Sequence, residues 1–146
     1  MFEVARRLRG EGRALPAHLF VAAAMAPQAY YFAPMHHLSR ARLLRGLRQF
    51  GLTLDDSASA EPALRAEVGA MASYVFVDAP PLPIPITAFW GERDLISPPN
   101  GNVAWREQTA ATFAFHVWPG NHDLVCDEVS VVLDVIRAEL ARPPFR

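Results

Sequence analysis

Two rhythms of hydrophobic and polar positions run along the chain. In residues 2–9, Phe2, Ala5 and Leu8 recur at helical spacing while Arg6, Arg7 and Arg9 lean outward, which predicts a helix ended by Gly10 or Gly12. Nothing before Phe2 can cap this helix and two turns are marginal alone, so the chain reads as starting inside an element. His18-Leu19-Phe20-Val21-Ala22-Ala23-Ala24 is a continuous apolar run between Pro16 and Pro27, the pattern of a strand buried on both faces. Ile86 to Trp90 and Phe113 to Trp118 read the same way, closed by turn signals at Gly91 and at Pro119-Gly120. A helix is expected near Val103 to Thr109, capped by Asn100 or Asn102. A stronger one has Asp127 as N-cap and an apolar stripe of Val129, Val132, Leu133, Ile136 and Leu140.

Strands alternating with helices imply parallel pairing through right-handed crossovers. The expected class is therefore α/β, with about three parallel strands and flanking helices. Between the first two strands lie two helical patterns, Leu43, Leu44, Leu47 and Phe50 in one and Leu64, Val68, Met71 and Val75 in the other. An all-helical insert over 27–79 is most simply a lid above the carboxyl ends of the strands, where α/β sheets bind ligands. Its lead-in, Met25 to Met35 with Tyr30, Tyr31 and Phe32, is apolar for a loop. It fits either the wall of an acyl pocket or plain packing of the lid on the sheet. Pro80 to Pro85 reads as a stiff return into the second strand.

At 146 residues the chain suits a single domain, 1–146. Hydrophobic residues make up 51%, charged residues 20%, and the net charge is -1, which argues against a disordered or nucleic-acid-binding protein. All 14 basic residues are Arg, but they are dispersed among acids, so no phosphate-binding patch is expected. The apolar run from His18 to Ala26 is far short of the ~20 residues of a membrane span, and no signal peptide opens the chain. A cytoplasmic protein with no membrane partner is expected. The single Cys126 cannot form an internal disulfide.

The candidate chemistry lies in two turns. Asp94 follows the second strand through Gly91-Glu92-Arg93, and His122 follows the third through Pro119-Gly120-Asn121. In a parallel sheet both turns occupy the carboxyl edge, so a carboxylate and an imidazole can meet over one crevice. A buried carboxylate accepting from one ring nitrogen leaves the other free to take a proton from a nucleophile. On spacing alone, a turn aspartate and a surface histidine are the more ordinary account of these residues. Ser97, ahead of Pro98-Pro99, fits a turn or capping role. Ser39, Ser57, Ser59, Ser73 and Ser130 lie on apparent helices or lid loops, and Cys126 fits a small buried residue near a helix start. His116 fits a satisfied core or edge residue, and His36-His37 lacks further metal ligands at useful spacing.

Several blocks in order carry a family resemblance. Pro81-Leu82-Pro83-Ile84-Pro85-Ile86-Thr87-Ala88, Gly91-Glu92-Arg93-Asp94, Trp105-Arg106-Glu107-Gln108-Thr109 and Pro119-Gly120-Asn121-His122 resemble the end of the type II thioesterases of polyketide and nonribosomal peptide assembly lines. Ala17-His18-Leu19-Phe20-Val21, Ala26-Pro27, His36-His37-Leu38 and Leu64-Arg65-Ala66-Glu67 are similar to the family's lid segments. Phe2-Glu3-Val4-Ala5-Arg6-Arg7-Leu8 resembles the helix that follows its nucleophile. The resemblance implies an α/β-hydrolase fold with a helical lid, Asp94 as triad acid and His122 as general base. It also implies hydrolysis of acyl thioesters on the phosphopantetheine arms of acyl or peptidyl carrier proteins, with no metal and no bound cofactor.

Two departures qualify it. Asp123 and Leu124 stand where the family has bulky apolar residues, placing an acid beside the imidazole. The family's Gly-x-Ser-x-Gly elbow would lie roughly ten residues before the first residue, and none of the eight glycines is followed two positions later by Ser or Cys. The chain is thus expected to be a carboxyl-terminal portion of the fold, inactive in isolation, with an unpaired first-strand edge open to self-association. A non-catalytic remnant that docks carriers, and a different α/β-hydrolase such as an esterase or acyltransferase, are the alternatives.

Overall fold

The computed structural model describes residues 1–49 and 57–142, so the expected apolar position at Phe50 lies outside the described residues. Helix α1 spans Phe2–Gly10. It ends as Gly12 takes a left-handed φ of 64°, with Gly12 N–H donating to the Arg9 carbonyl and Arg13 N–H to that of Leu8. This is the six-to-one closure for which a glycine is favoured. Phe2 and Ala5 are its buried residues. Arg6 and Arg9 do not simply lean into solvent. Arg6 donates to the Val77 carbonyl and Arg9 to those of Pro80 and Pro81, while the Arg6 guanidinium lies over the rings of Phe2 and Phe76. These arginines hold the proline-rich return, whose carbonyls need donors from outside their own segment.

Strands β1 (Leu19–Ala22), β2 (Ile86–Gly91) and β3 (Phe113–Trp118) form a parallel sheet in the order β1-β2-β3. Leu19 pairs with Ile86, and Ile86 with Phe113. β1 is shorter than its apolar run because Ala23 turns to a φ of 48°. Alternation sorts the side chains between two cores. Leu19, Ile86 and Ala88 face one side with Phe2, Ala5, Leu82, Ile84 and Trp105. Phe20, Ala22, Phe89 and Trp118 face the other with Val132, Val135 and Ile136. Burial on both faces holds for β2 alone, since β1 and β3 are half-buried and flank it. A continuous apolar run carries no signal that distinguishes a central strand from its neighbours.

Between β1 and β2 lie the 3-10 turns Pro27–Ala29 and Met35–His37, then α2 (Arg40–Gln49) and α3 (Glu61–Ser73). Leu43, Leu47 and Val68 bury one another with Phe32, Met35 and Leu64 around them. Met71 and Val75 were expected in this stripe, yet both are exposed, and α3 ends before Val75. Arg65 donates to the carbonyls of His36 and Leu38 and pairs with Glu61.

The helix expected near Val103 to Thr109 is two shorter pieces, α4 (Pro99–Val103) and a 3-10 segment, Ala104–Gln108. Pro99 starts α4 at the first helical position, where a missing N–H costs nothing. Neither asparagine caps it. Asn102 is buried and donates backward to the carbonyls of Ser97 and Pro98. After β3 come α5 (Leu124–Asp127) and α6 (Val129–Leu140). Asp127 closes α5, and Glu128 holds the N-cap position of α6 without a side-chain bond. Only part of the expected stripe is inward, because Val129, Leu133 and Leu140 are exposed. The inward face runs through Val132, Val135 and Ile136 to Glu139, which is nearly buried and paired with Arg142 at 2.9 Å. Among the described residues, no helix is long and apolar enough to cross a membrane.

Candidate active site

The turns after β2 and β3 are joined backbone to backbone. Glu92 N–H donates to the Trp118 carbonyl at 3.0 Å and Arg93 N–H to that of Gly120 at 2.8 Å, while Asp94 N–H closes a tight turn onto Gly91 at 2.9 Å. Gly91 permits this approach, because a β-carbon there would overlap the Gly120 and Asn121 carbonyls. Neighbouring strands in register therefore deliver Asp94 and His122 to the same edge of the sheet.

There His122 Nδ1 lies 3.0 Å from Asp94 Oδ2. The Asp94 side chain is fully buried, whereas that of His122 is 25% exposed. An ionised carboxylate only accepts, so the bond places the imidazole proton on Nδ1 and leaves Nε2 of the neutral ring as an acceptor. Asp94 Oδ1 also accepts from the backbone of Ile96 at 2.8 Å and of Ser97 at 3.1 Å. The Ser97 hydroxyl donates to Oδ2. With His122 this makes four donors around one carboxylate, about its full acceptor capacity.

Ser97, which the sequence assigns to the turn, also donates its hydroxyl to Asp94. The available signal was the Asp-x-x-Ser spacing, because an aspartate commonly accepts from residues two and three positions on. Asp123 heads α5, its carbonyl accepting from the backbone of Cys126 and Asp127. The other sequence candidates lie in other surroundings. Cys126 is exposed, Ser73 donates to the Ala70 carbonyl, and Ser57 and Ser59 pair with each other. His116 stacks on Trp118, and its buried Nε2 has no hydrogen-bond partner among the described residues, so it is not a satisfied core histidine. No group of three or more potential metal ligands occurs among the described residues.

The segment after Asp94 also holds the approach to the helical insert. Gly101 O accepts from Ala26 N–H at 2.8 Å, and Trp105 Nε1 donates to the Ala24 carbonyl at 2.8 Å. Gln28 donates to the Ala104 carbonyl and accepts from Gln108. This polar joint was not legible in the sequence, since its partners stand some 80 positions apart.

Comparison with known proteins places the chain in a family. The family model for the thioesterase domain matches residues 1–140. The chain belongs to the thioesterase family. It is 34% identical over 131 residues to the gramicidin S biosynthesis protein GrsT of Aneurinibacillus migulanus, covering 83% of this chain and 50% of that protein. It is 28% identical to thioesterase PikA5 of Streptomyces venezuelae, over 98% of this chain and 57% of that one. The RedJ thioesterase of the prodiginine pathway in Streptomyces coelicolor superposes with a TM-score of 0.82 at 34% identity, over 92% of this chain and 56% of that one. The type II thioesterase BorB of the borrelidin cluster gives 0.83 at 29% identity, over 95% of this chain and 60% of that one. The thioesterase domain thus resembles the type II enzymes of the α/β-hydrolase superfamily, as the ordered sequence blocks implied. The chain spans about half the length of the curated relatives it matches.

Proposed function

We propose that this thioesterase domain carries the acid and base of a thioester hydrolase, with Asp94 orienting His122 and residues 27–79 forming the lid. The observation behind this proposal is the 3.0 Å bond between a buried carboxylate and a part-exposed imidazole on the carboxyl edge of the sheet. In such a site His122 Nε2 takes the proton of a serine hydroxyl as its oxygen attacks the thioester carbonyl, then returns it to the departing thiolate. Water repeats the cycle on the acyl-serine and frees the acid. The substrate class is an acyl or peptidyl thioester on a carrier protein in polyketide or nonribosomal peptide synthesis, in keeping with the pathways named for GrsT and RedJ. The cytoplasm is the compartment that fits those partners.

The 146 residues contain no Gly-x-Ser-x-Gly, and that elbow supplies both the nucleophile and one oxyanion donor. A triad knockout that keeps its oxyanion hole retains roughly 10³ to 10⁴-fold catalysis over water; this chain alone is expected to show no thioester turnover. The deciding experiment joins residues 1–146 to the part of RedJ that they do not cover, and assays acyl-carrier thioesters against simple esters. Turnover of carrier thioesters that vanishes in Asp94→Asn and His122→Ala supports the hydrolase. A folded fusion whose turnover is indifferent to His122→Ala overturns it.

A further inference from the structure

We infer that Ser97 is a positioning residue for the Asp94–His122 pair: its hydroxyl fixes the twist of the Asp94 carboxylate, and so keeps the imidazole proton on Nδ1. This rests on the proposed acid and base roles only for its catalytic meaning, since the geometry stands without turnover.

The two backbone donors of the turn, Ile96 and Ser97, both act on Oδ1. Because the carboxylate is a rigid plane, these bonds also limit its twist, and a donor on Oδ2 completes that restraint. The terminal torsion of an aspartate is broad and imposes little direction of its own. Among the described residues, the Ser97 hydroxyl is the donor that Oδ2 has besides His122. His122 is the more exposed partner, whereas Ser97 is buried, so the hydroxyl is the more firmly held donor on that oxygen.

Ser97 is itself held from several sides. It is 1% exposed. Its carbonyl accepts from Trp90 Nε1 at 2.6 Å and from Asn102 Nδ2 at 3.0 Å. Pro98 follows it and restricts its backbone to extended conformations. A capping role would be the ordinary explanation for a serine ahead of a helix, but α4 has Pro98 at its N-cap position and no side-chain cap bond. The hydroxyl is directed at the carboxylate instead. Removing it leaves a buried charged oxygen short of one donor, which the carboxylate relieves by twisting, and twisting misaligns the Nδ1 bond.

The test reads the tautomer of His122 by nitrogen NMR in the 146-residue chain, with the imidazole held neutral above the ordinary histidine range. The parent chain is expected to show one Nδ1–H species. Ser97→Ala is expected to lose that exclusivity and show a mixture with Nε2–H, while Ser97→Thr, which keeps the hydroxyl, restores the single species. If Ser97→Ala fails to fold, Ser97→Cys takes its place, its weaker donor giving partial loss. A folded Ser97→Ala or Ser97→Cys chain that keeps a pure Nδ1–H signal overturns the inference, as does equal loss in Ser97→Thr. Failure of the fusion assay with this tautomer response intact would sink the hydrolase function and leave the positioning role standing.

Discussion

Gly91 and Gly120 approach so closely that a β-carbon on Gly91 would stand 2.7 Å from the Gly120 carbonyl oxygen. Both the Asp94 turn and the His122 turn depend on that approach, because Arg93 N–H reaches the same oxygen at 2.8 Å. Gly91→Ala should push the two turns apart, with a loss of about 1–3 kcal/mol typical of overpacking. Denaturant unfolding measures the loss. The His122 side-chain resonances should shift toward those of a free histidine, whereas Gly10→Ala, with open space at its β-carbon, should leave them unmoved.

Among the described residues, Phe89 is the largest fully buried side chain and sits in the central strand against Val132 and Trp118. Phe89→Ala should lower stability by about 3–5 kcal/mol, through lost transfer energy and the cavity left behind. A midpoint shift in denaturant with an unchanged slope is the expected signature. Val4→Ala, at a half-exposed position on α1, should stay within about 0.5 kcal/mol of the parent chain.

Arg6 joins α1 to the segment ahead of β2 through the Val77 carbonyl and the Phe76 ring, and Tyr74 donates to Glu3 at 2.6 Å. Arg6→Ala should loosen residues 74–79, while Arg9 still holds Pro80 and Pro81 and both sheet cores persist. The expected cost is about 1–3 kcal/mol, from one charge-assisted bond and the two cation–π contacts with Phe2 and Phe76. Limited proteolysis should cut within 74–79 in the variant first, and cutting at an unchanged rate would count against the joint.

His18 titrates below its ordinary value, chiefly because burial penalises the charged ring, with Glu139 opposing that and Arg142 adding to it. Its Nε2 lies 2.9 Å from Thr87 Oγ1, and its ring stacks on Phe20. A lowered folded-state value means that the unfolded chain binds the proton first. Stability from this group is thus complete above the unfolded value of 6.5 and falls as the pH drops below it, until the folded ring also protonates. His18→Gln should flatten that part of the stability–pH curve. Burial acts in the opposite direction on Tyr74, raising its phenol above the ordinary value, with the Glu3 hydrogen bond adding to the effect. Stability from Tyr74 should therefore fall above about pH 10, where the unfolded phenol begins to ionise.

The strands and the two turns of the site were legible because each is written locally, as an apolar run closed by glycine or proline. Asp94 and His122 could be brought together from the sequence since parallel strands put their carboxyl ends on one edge. Other features depend on partners far along the chain. Arg6 looked like a solvated charge because the carbonyl it bonds lies 71 residues away. Asn102 looked like a helix cap because an asparagine near a helix start commonly is one, but Pro98-Pro99 had already set the first turn. Glu139 completes the inward face of α6, where hydrophobic periodicity alone would not place a carboxylate.

The insert cluster of Leu43, Leu47 and Val68 shares no residue with either sheet cluster. Its flanks are fastened mainly by Gln28 and Trp105 on one side and by Arg6 and Arg9 on the other. The described residues thus hold three oily compartments with polar seams, and the seams are where salt and pH can act without melting any compartment.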